Sequence, residues 1–190
     1  MKKLLLLIIV CVVSLTVQAQ KEHMKFKGIP MEGTLNSFVQ KLKAKGYTFI
    51  RQEDGTAILK GEFATVKGCA IVVNRFSDRD QVNMVAVLFP EEKTWNAITT
   101  NYFVLKDMLT EKYGKPDCVE EFTERDPQDD FLRFHAILND ECNYISEFSS
   151  ENGKIQLSMK KTSTLAASVF LRYIDNENAD ETRKKMMDDL

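Results

Sequence analysis

Two adjacent stretches of this chain, Cys69 to Phe76 and Val82 to Phe89, are apolar on both faces. Read as strands, they set Ile71 and Val73 against Ala70 and Val72, and Met84 and Leu88 against Val85 and Val87. A strand with one wet face alternates apolar and polar residues, so a pair without that alternation belongs in the middle of a sheet. It is expected to be covered on both sides, by helices or by a partner surface. This demand constrains the fold more than any other feature, because the rest of the sequence must supply the cover.

Helical candidates lie on either side of the pair. Thr34 is a good N-cap, and Leu35, Phe38, Val39 and Leu42 follow at i, i+3, i+4 and i+7, one face of a helix stopped by Gly46. A second helix is predicted from about Thr94 to Tyr113. Trp95, Ile98, Tyr102, Leu105 and Leu109 mark its buried face, and Gly114-Lys115-Pro116 closes it.

Strand signals fill most of the remainder. Phe26 to Pro30 reads as a short extended piece ending in a turn. Tyr47 to Arg51 is extended, Glu53-Asp54-Gly55 is a turn, and Thr56 to Val66 precedes the two central strands, which Ser77 to Asp80 connects as a hairpin loop. After the second helix, Cys118 to Glu124 is extended, and Phe131 to Leu138 fits either a strand or the helical period. Cys142 to Ser149 and Lys154 to Lys161 flank Glu151-Asn152-Gly153, a hairpin with the Asn-Gly signal. Ile155, Leu157 and Met159 alternate with Lys154, Gln156, Ser158 and Lys160, one buried face and one wet face. Ala166 to Ile174 is the last strand. In the charged tail, Ala179, Met186, Met187 and Leu190 are placed to dock as a short helix.

The order helix, glycine, strands, cysteine, two further β runs occurs from Thr34 to Phe89 and again from Thr94 to Ile174. The expected fold class is α+β, with tandem helix-plus-antiparallel-meander halves and helices packed on the sheet. The expected organisation is a signal peptide over residues 1–19 and a single domain over 20–190. That domain consists of pseudo-repeats at about 24–90 and 91–175, followed by a helical tail at 176–190.

The leader reading rests on Lys2 and Lys3, the apolar run Leu4 to Val13, and Val17-Gln18-Ala19, with cleavage expected after Ala19. The run is short for a spanning helix, so a periplasmic or secreted protein without stable membrane insertion is expected. Loss of Lys2 and Lys3 leaves 24 basic against 28 acidic residues, a net charge of −4. A mildly acidic chain lacks the basic footprint of a nucleic-acid binder and the polybasic cluster of a protein held on anionic lipid.

Three cysteines remain after the leader, Cys69, Cys118 and Cys142, allowing three alternative pairings with one thiol left over. None sits in a C-x-x-C motif, so neither a redox site nor a zinc knuckle is signalled. Of the two histidines, His23 lies in the polar stretch after the cleavage site, where order is commonly poor. His135 sits between Phe134 and Ala136 and reads as a packed or surface histidine. It is also the general base of the alternative reading, a small envelope hydrolase using nearby acidic residues.

Glu120, Glu121, Glu124, Asp126, Asp129 and Asp130 are the densest charge, countered by Arg125, and read as a solvated acidic hairpin tip. Their spacing does not match a calcium loop. The eight glycines form neither G-x-G-x-x-G nor a P-loop, so no cofactor is indicated. Without a catalytic constellation, no catalytic, cofactor or metal residue is assigned. The expected role is an exported binding module for an unknown protein or small-molecule ligand. A carrier with an apolar pocket between helix and sheet is a third reading.

The segment Met24 to Thr34, running into Phe38, Leu42 and Gly46, resembles the start of uncharacterised small secreted proteins of Gram-negative gut bacteria. The duplicated helix-then-meander order resembles the tandem-repeat fold of β-lactamase inhibitory proteins, in which two helix-plus-sheet halves form a concave sheet that grips a protein. That resemblance implies a sheet-face protein binder. Each half here reads with a single helix where that fold has a pair, and no functional residue carries over.

Overall fold

The computed structural model describes residues 22–188. The leader reading, its cleavage site after Ala19, and Leu190 lie outside the described residues. The chain forms a hairpin of β1 (Lys25–Phe26) and β2 (Ile29–Pro30), then helix α1 (Leu35–Ala44) and the meander β3 (Thr48–Glu53), β4 (Thr56–Phe63), β5 (Val66–Arg75) and β6 (Val82–Leu88). Helix α2 (Trp95–Tyr113), β7 (Asp117–Phe122) and helix α3 (Asp130–Leu138) follow. They lead into β8 (Cys142–Ser150), β9 (Gly153–Ser163), β10 (Ala166–Asp175) and helix α4 (Asn176–Asp188).

Eight of the strands make one antiparallel sheet in the order β3-β4-β5-β6-β10-β9-β8-β7. Each half runs from its outer strand inward, so the halves meet where β6 pairs with β10, Val85 opposite Tyr173 and Val87 opposite Leu171. The fold is α+β, built of tandem helix-plus-meander halves with helices on the sheet.

Local chemistry explains the elements. The Thr34 side chain accepts from Ser37 N and the Thr94 side chain from Ala97 N, capping α1 and α2 as their sequences require. Leu35, Phe38, Val39 and Leu42 are all buried, each full burial contributing about 2 kcal/mol. Phe131 to Leu138 resolves as helix because Asp129 accepts from Phe131 N and Leu132 N, fixing an N-cap that turns the ambiguous apolar spacing helical. The second half thus carries two helices.

One connection differs from the sequence reading. Thr56 to Val66 is not one strand, because the chain reverses at Ala64-Thr65, both left-handed at φ 48° and 67°. The next strand already begins at Val66, with Gly68 inside it. The reversal uses two residues that rarely adopt this conformation, so no turn signal marks it.

The core is one cluster on one side of the sheet. Leu59, Ile71, Val73, Val85, Val87, Leu157, Leu171 and Tyr173 face α1, α2 and α3 through Phe38, Leu42, Ile98, Tyr102, Phe134 and Ile137. Both halves deliver their helices to the same side, so β5 and β6 are central as expected but covered on one face. Helix α4 covers neither face beyond its first turn. Met186 and Met187 are 65% and 62% exposed and Ala179 is exposed, so the tail is helical without docking through these residues. It is instead tied to the β5–β6 loop by Arg79–Glu181 at 2.7 Å and by Lys185–Asp78.

Candidate functional site

The face left bare is the candidate site. Strand register sets three rows of outward residues across it. One runs Arg51, Ile58, Val72, Ala86, Arg172, Gln156, Glu147, Asp117 over all eight strands. The next runs Thr48, Lys60, Ala70, Leu88, Phe170, Ser158, Ile145, Val119. The third passes through Thr56, Asn74, Met84, Ile174 and Lys154.

Ile58, Val72, Met84, Leu88, Phe170 and Ile174 are only partly buried, and none packs against the core cluster. These are the second faces of the strands whose sequence lacked alternation. Over the inner strands β4, β5, β6, β10 and β9 the three rows contain no acidic residue. Lys60 and Arg172 carry charge there without an ion pair among the described residues, while Lys154 pairs with Glu147 at 2.5 Å. The open face therefore has an apolar centre that carries two exposed, unpaired cations.

On the helix side, a cavity of about 520 Å³ lies between the β1–β2, β4–β5 and β8–β9 turns and the end of α2. Lys25, Lys27 and Lys112 line it with Phe63, Tyr113 and Tyr173. Its three lysines make it unlike the apolar pocket a hydrophobic carrier requires.

The residues weighed as catalytic do not converge. The His135 ring lies tilted against Phe131, with centroids 4.3 Å apart and planes at 55°, and no carboxylate or thiol of the described residues bonds to it. His23, which sequence placed in a region of poor order, is held. Its Nδ1–H donates to Asp175 Oδ1 at 3.1 Å, the same carboxylate accepts from Met24 N at 2.5 Å and from Asn178 N at 2.9 Å, and Asp175 is fully buried. Nothing in the local sequence signals a pair 152 residues apart.

The acidic run is not a hairpin tip. Asp129 caps α3, Asp126 and Asp130 pair with Arg133 at 3.0 and 3.4 Å, and Glu120 accepts from Lys106. No cluster able to hold a metal ion occurs among the described residues. Glu120 also accepts from the buried Tyr102 hydroxyl at 3.1 Å, and Ser146 Oγ lies 2.7 Å from that hydroxyl. Burial pushes the Tyr102 phenol well above its usual range, so it stays a donor. This relay is closed on itself and holds α2 to β7 and β8.

The three cysteines are free. Cys69 on β5 is four strand spacings, about 19 Å, from Cys142 on β8. Cys118 faces Ser146 while Cys142 faces Phe122, about 13 Å along the ladder. Both separations exceed what a disulfide spans. Burial raises the Cys142 thiol to about 11 and also raises that of Cys69.

No family model, curated protein or solved structure matches this chain.

Proposed function

We propose that the protein is an exported interaction module whose bare sheet face binds a partner protein, one presenting an apolar surface flanked by carboxylates. The observation that carries this reading is the uncovered apolar centre of β4, β5, β6 and β10, with Lys60 and Arg172 unpaired on it. Apolar residues on both faces of β5 and β6 make sense when a second surface covers what the helices do not.

Scale is consistent with such a role. Eight strands at about 4.8 Å spacing make the face about 34 Å wide. With strands of six to eleven residues, its area is of the order of the 800 Å² that a specific interface covers on each partner. The resemblance in element order to β-lactamase inhibitory proteins supports the same use of a sheet.

A photo-crosslinker at Val72, compared with one at Lys43 on α1, tests this in cells. The expected result is one discrete crosslinked partner from Val72 alone, lost in Arg172→Glu and Phe170→Glu variants that keep wild-type circular dichroism. Equal crosslinking from both positions overturns the reading. So does self-association through the face, or binding unchanged by either substitution.

A further inference from the structure

We propose that the helix-side cavity binds a small dianion, a phosphomonoester or a dicarboxylate, carrying a flat apolar ring. This site lies on the opposite side of the sheet from the proposed protein interface and stands independently of it.

The charge comes first. Lys25 is neutralised by Glu22, but Lys27 and Lys112 have no ion pair among the described residues. Each ammonium instead lies near an aromatic ring, Lys27 Nζ 5.6 Å from the centroid of Phe63 and Lys112 Nζ 4.9 Å from that of Tyr113. Two uncompensated point charges on one cavity match a group that carries about −1.5 to −2 at neutral pH. The lining has a single carboxylate, Glu151.

Tyr173 supplies the second observation. It is 8% exposed, it forms part of the cavity wall, and its hydroxyl has no hydrogen-bond partner among the described residues. The hydroxyl itself is not sealed from solvent, so a ligand oxygen in the cavity can reach it and accept its hydrogen bond. Burial, with Tyr113 and Tyr47 nearby, holds its phenol above the usual range, so it donates rather than ionises. The rings of Phe63 and Tyr113, already beside the lysines, offer faces for the apolar part of the ligand. The volume, about 520 Å³, is that of a small-molecule site.

Calorimetric titration of the chain from residue 20 with phenyl phosphate and with phthalate, at low salt, tests the proposal. Saturable one-to-one binding of at least one is expected, and which one binds distinguishes phosphomonoester from dicarboxylate. Inorganic phosphate and benzyl alcohol, each lacking one half of the recognition, should bind about tenfold more weakly or worse. Lys27→Gln and Lys112→Gln should each weaken binding about tenfold, and Tyr173→Phe about threefold with an unchanged circular dichroism spectrum. Lys43→Gln and Arg172→Glu, away from the cavity, should leave affinity unchanged. Absence of binding by both ring-bearing anions up to about 10 mM overturns the proposal. An equal loss in the Lys43→Gln control does so as well.

Discussion

His23 Nδ1 donates to the buried Asp175 carboxylate at 3.1 Å, joining the segment before β1 to the end of the last strand. The same carboxylate accepts Asn178 N at the start of α4, and the Asn178 side chain donates to Met31 O at 3.2 Å and Val82 O at 3.1 Å. This junction welds the β1–β2 hairpin, β6, β10 and α4 together. Asp175→Asn replaces an oxygen acceptor with a donor facing Met24 N or His23. Urea unfolding should show a loss of about 3 kcal/mol. His23→Ala, at a partly exposed ring, should cost about 1 kcal/mol. Equal costs for the two variants would contradict the central role of the carboxylate.

Tyr102→Phe removes the hydroxyl between Ser146 and Glu120 while keeping the ring that meets Tyr144 at 5.8 Å. It strands a fully buried serine hydroxyl, so a loss of about 2 kcal/mol is expected in thermal or urea denaturation. The double variant with Ser146→Ala should recover part of that loss, because both unpaired groups are then gone.

Gly153 is required for contact rather than for a turn conformation. A Cβ there would meet Ile174 O at 2.3 Å and Met24 Sδ at 2.6 Å, and the first is backbone that cannot yield. Gly153→Ala should destabilise by about 3 kcal/mol, read as a lowered urea midpoint. An unchanged midpoint would mean that β9 and β10 separate more easily than their register implies.

The thiols should separate by reactivity. At pH 7.5, maleimide is expected to modify the exposed Cys118 first, Cys142 slowly and the buried Cys69 only after unfolding, as read by intact mass. The sign of the pH effect follows from burial. The folded thiol of Cys142, near 11, lies above its ordinary value of 9.0, so the neutral form is favoured by folding. Its contribution to stability is therefore complete below pH 9 and fades as the pH rises through 11. Cys142→Ala should flatten the stability profile across that window.

Much of the framework was legible because it rests on local chemistry. Thr34 and Thr94 cap the helices their spacing announced. Asp54-Gly55 marks its hairpin with two residues in left-handed backbone, while Asn152-Gly153 marks the other hairpin without adopting it. The Ala64-Thr65 reversal escaped because its residues do not advertise that conformation. His23 escaped because its partner is set by tertiary packing. The double-faced strands told only that two covers are needed. That both helices fall on one side depends on how the halves pair, which no single strand records. The cavity is equally non-local, since Lys27, Phe63, Lys112 and Tyr173 are brought together from four separate elements.

The pairing of β6 with β10 also sets a timetable. A chain emerging N-terminus first can complete its first four strands, yet the inner edge of β6 stays open until residues 170–174 arrive. Throughout that interval Val85 and Val87 sit on an unpaired apolar strand edge, the kind that recruits other chains. The last strand is therefore both keystone and safety catch. Any pause late in synthesis leaves that apolar edge open, and Asp175 closes the junction only when β10 is in place.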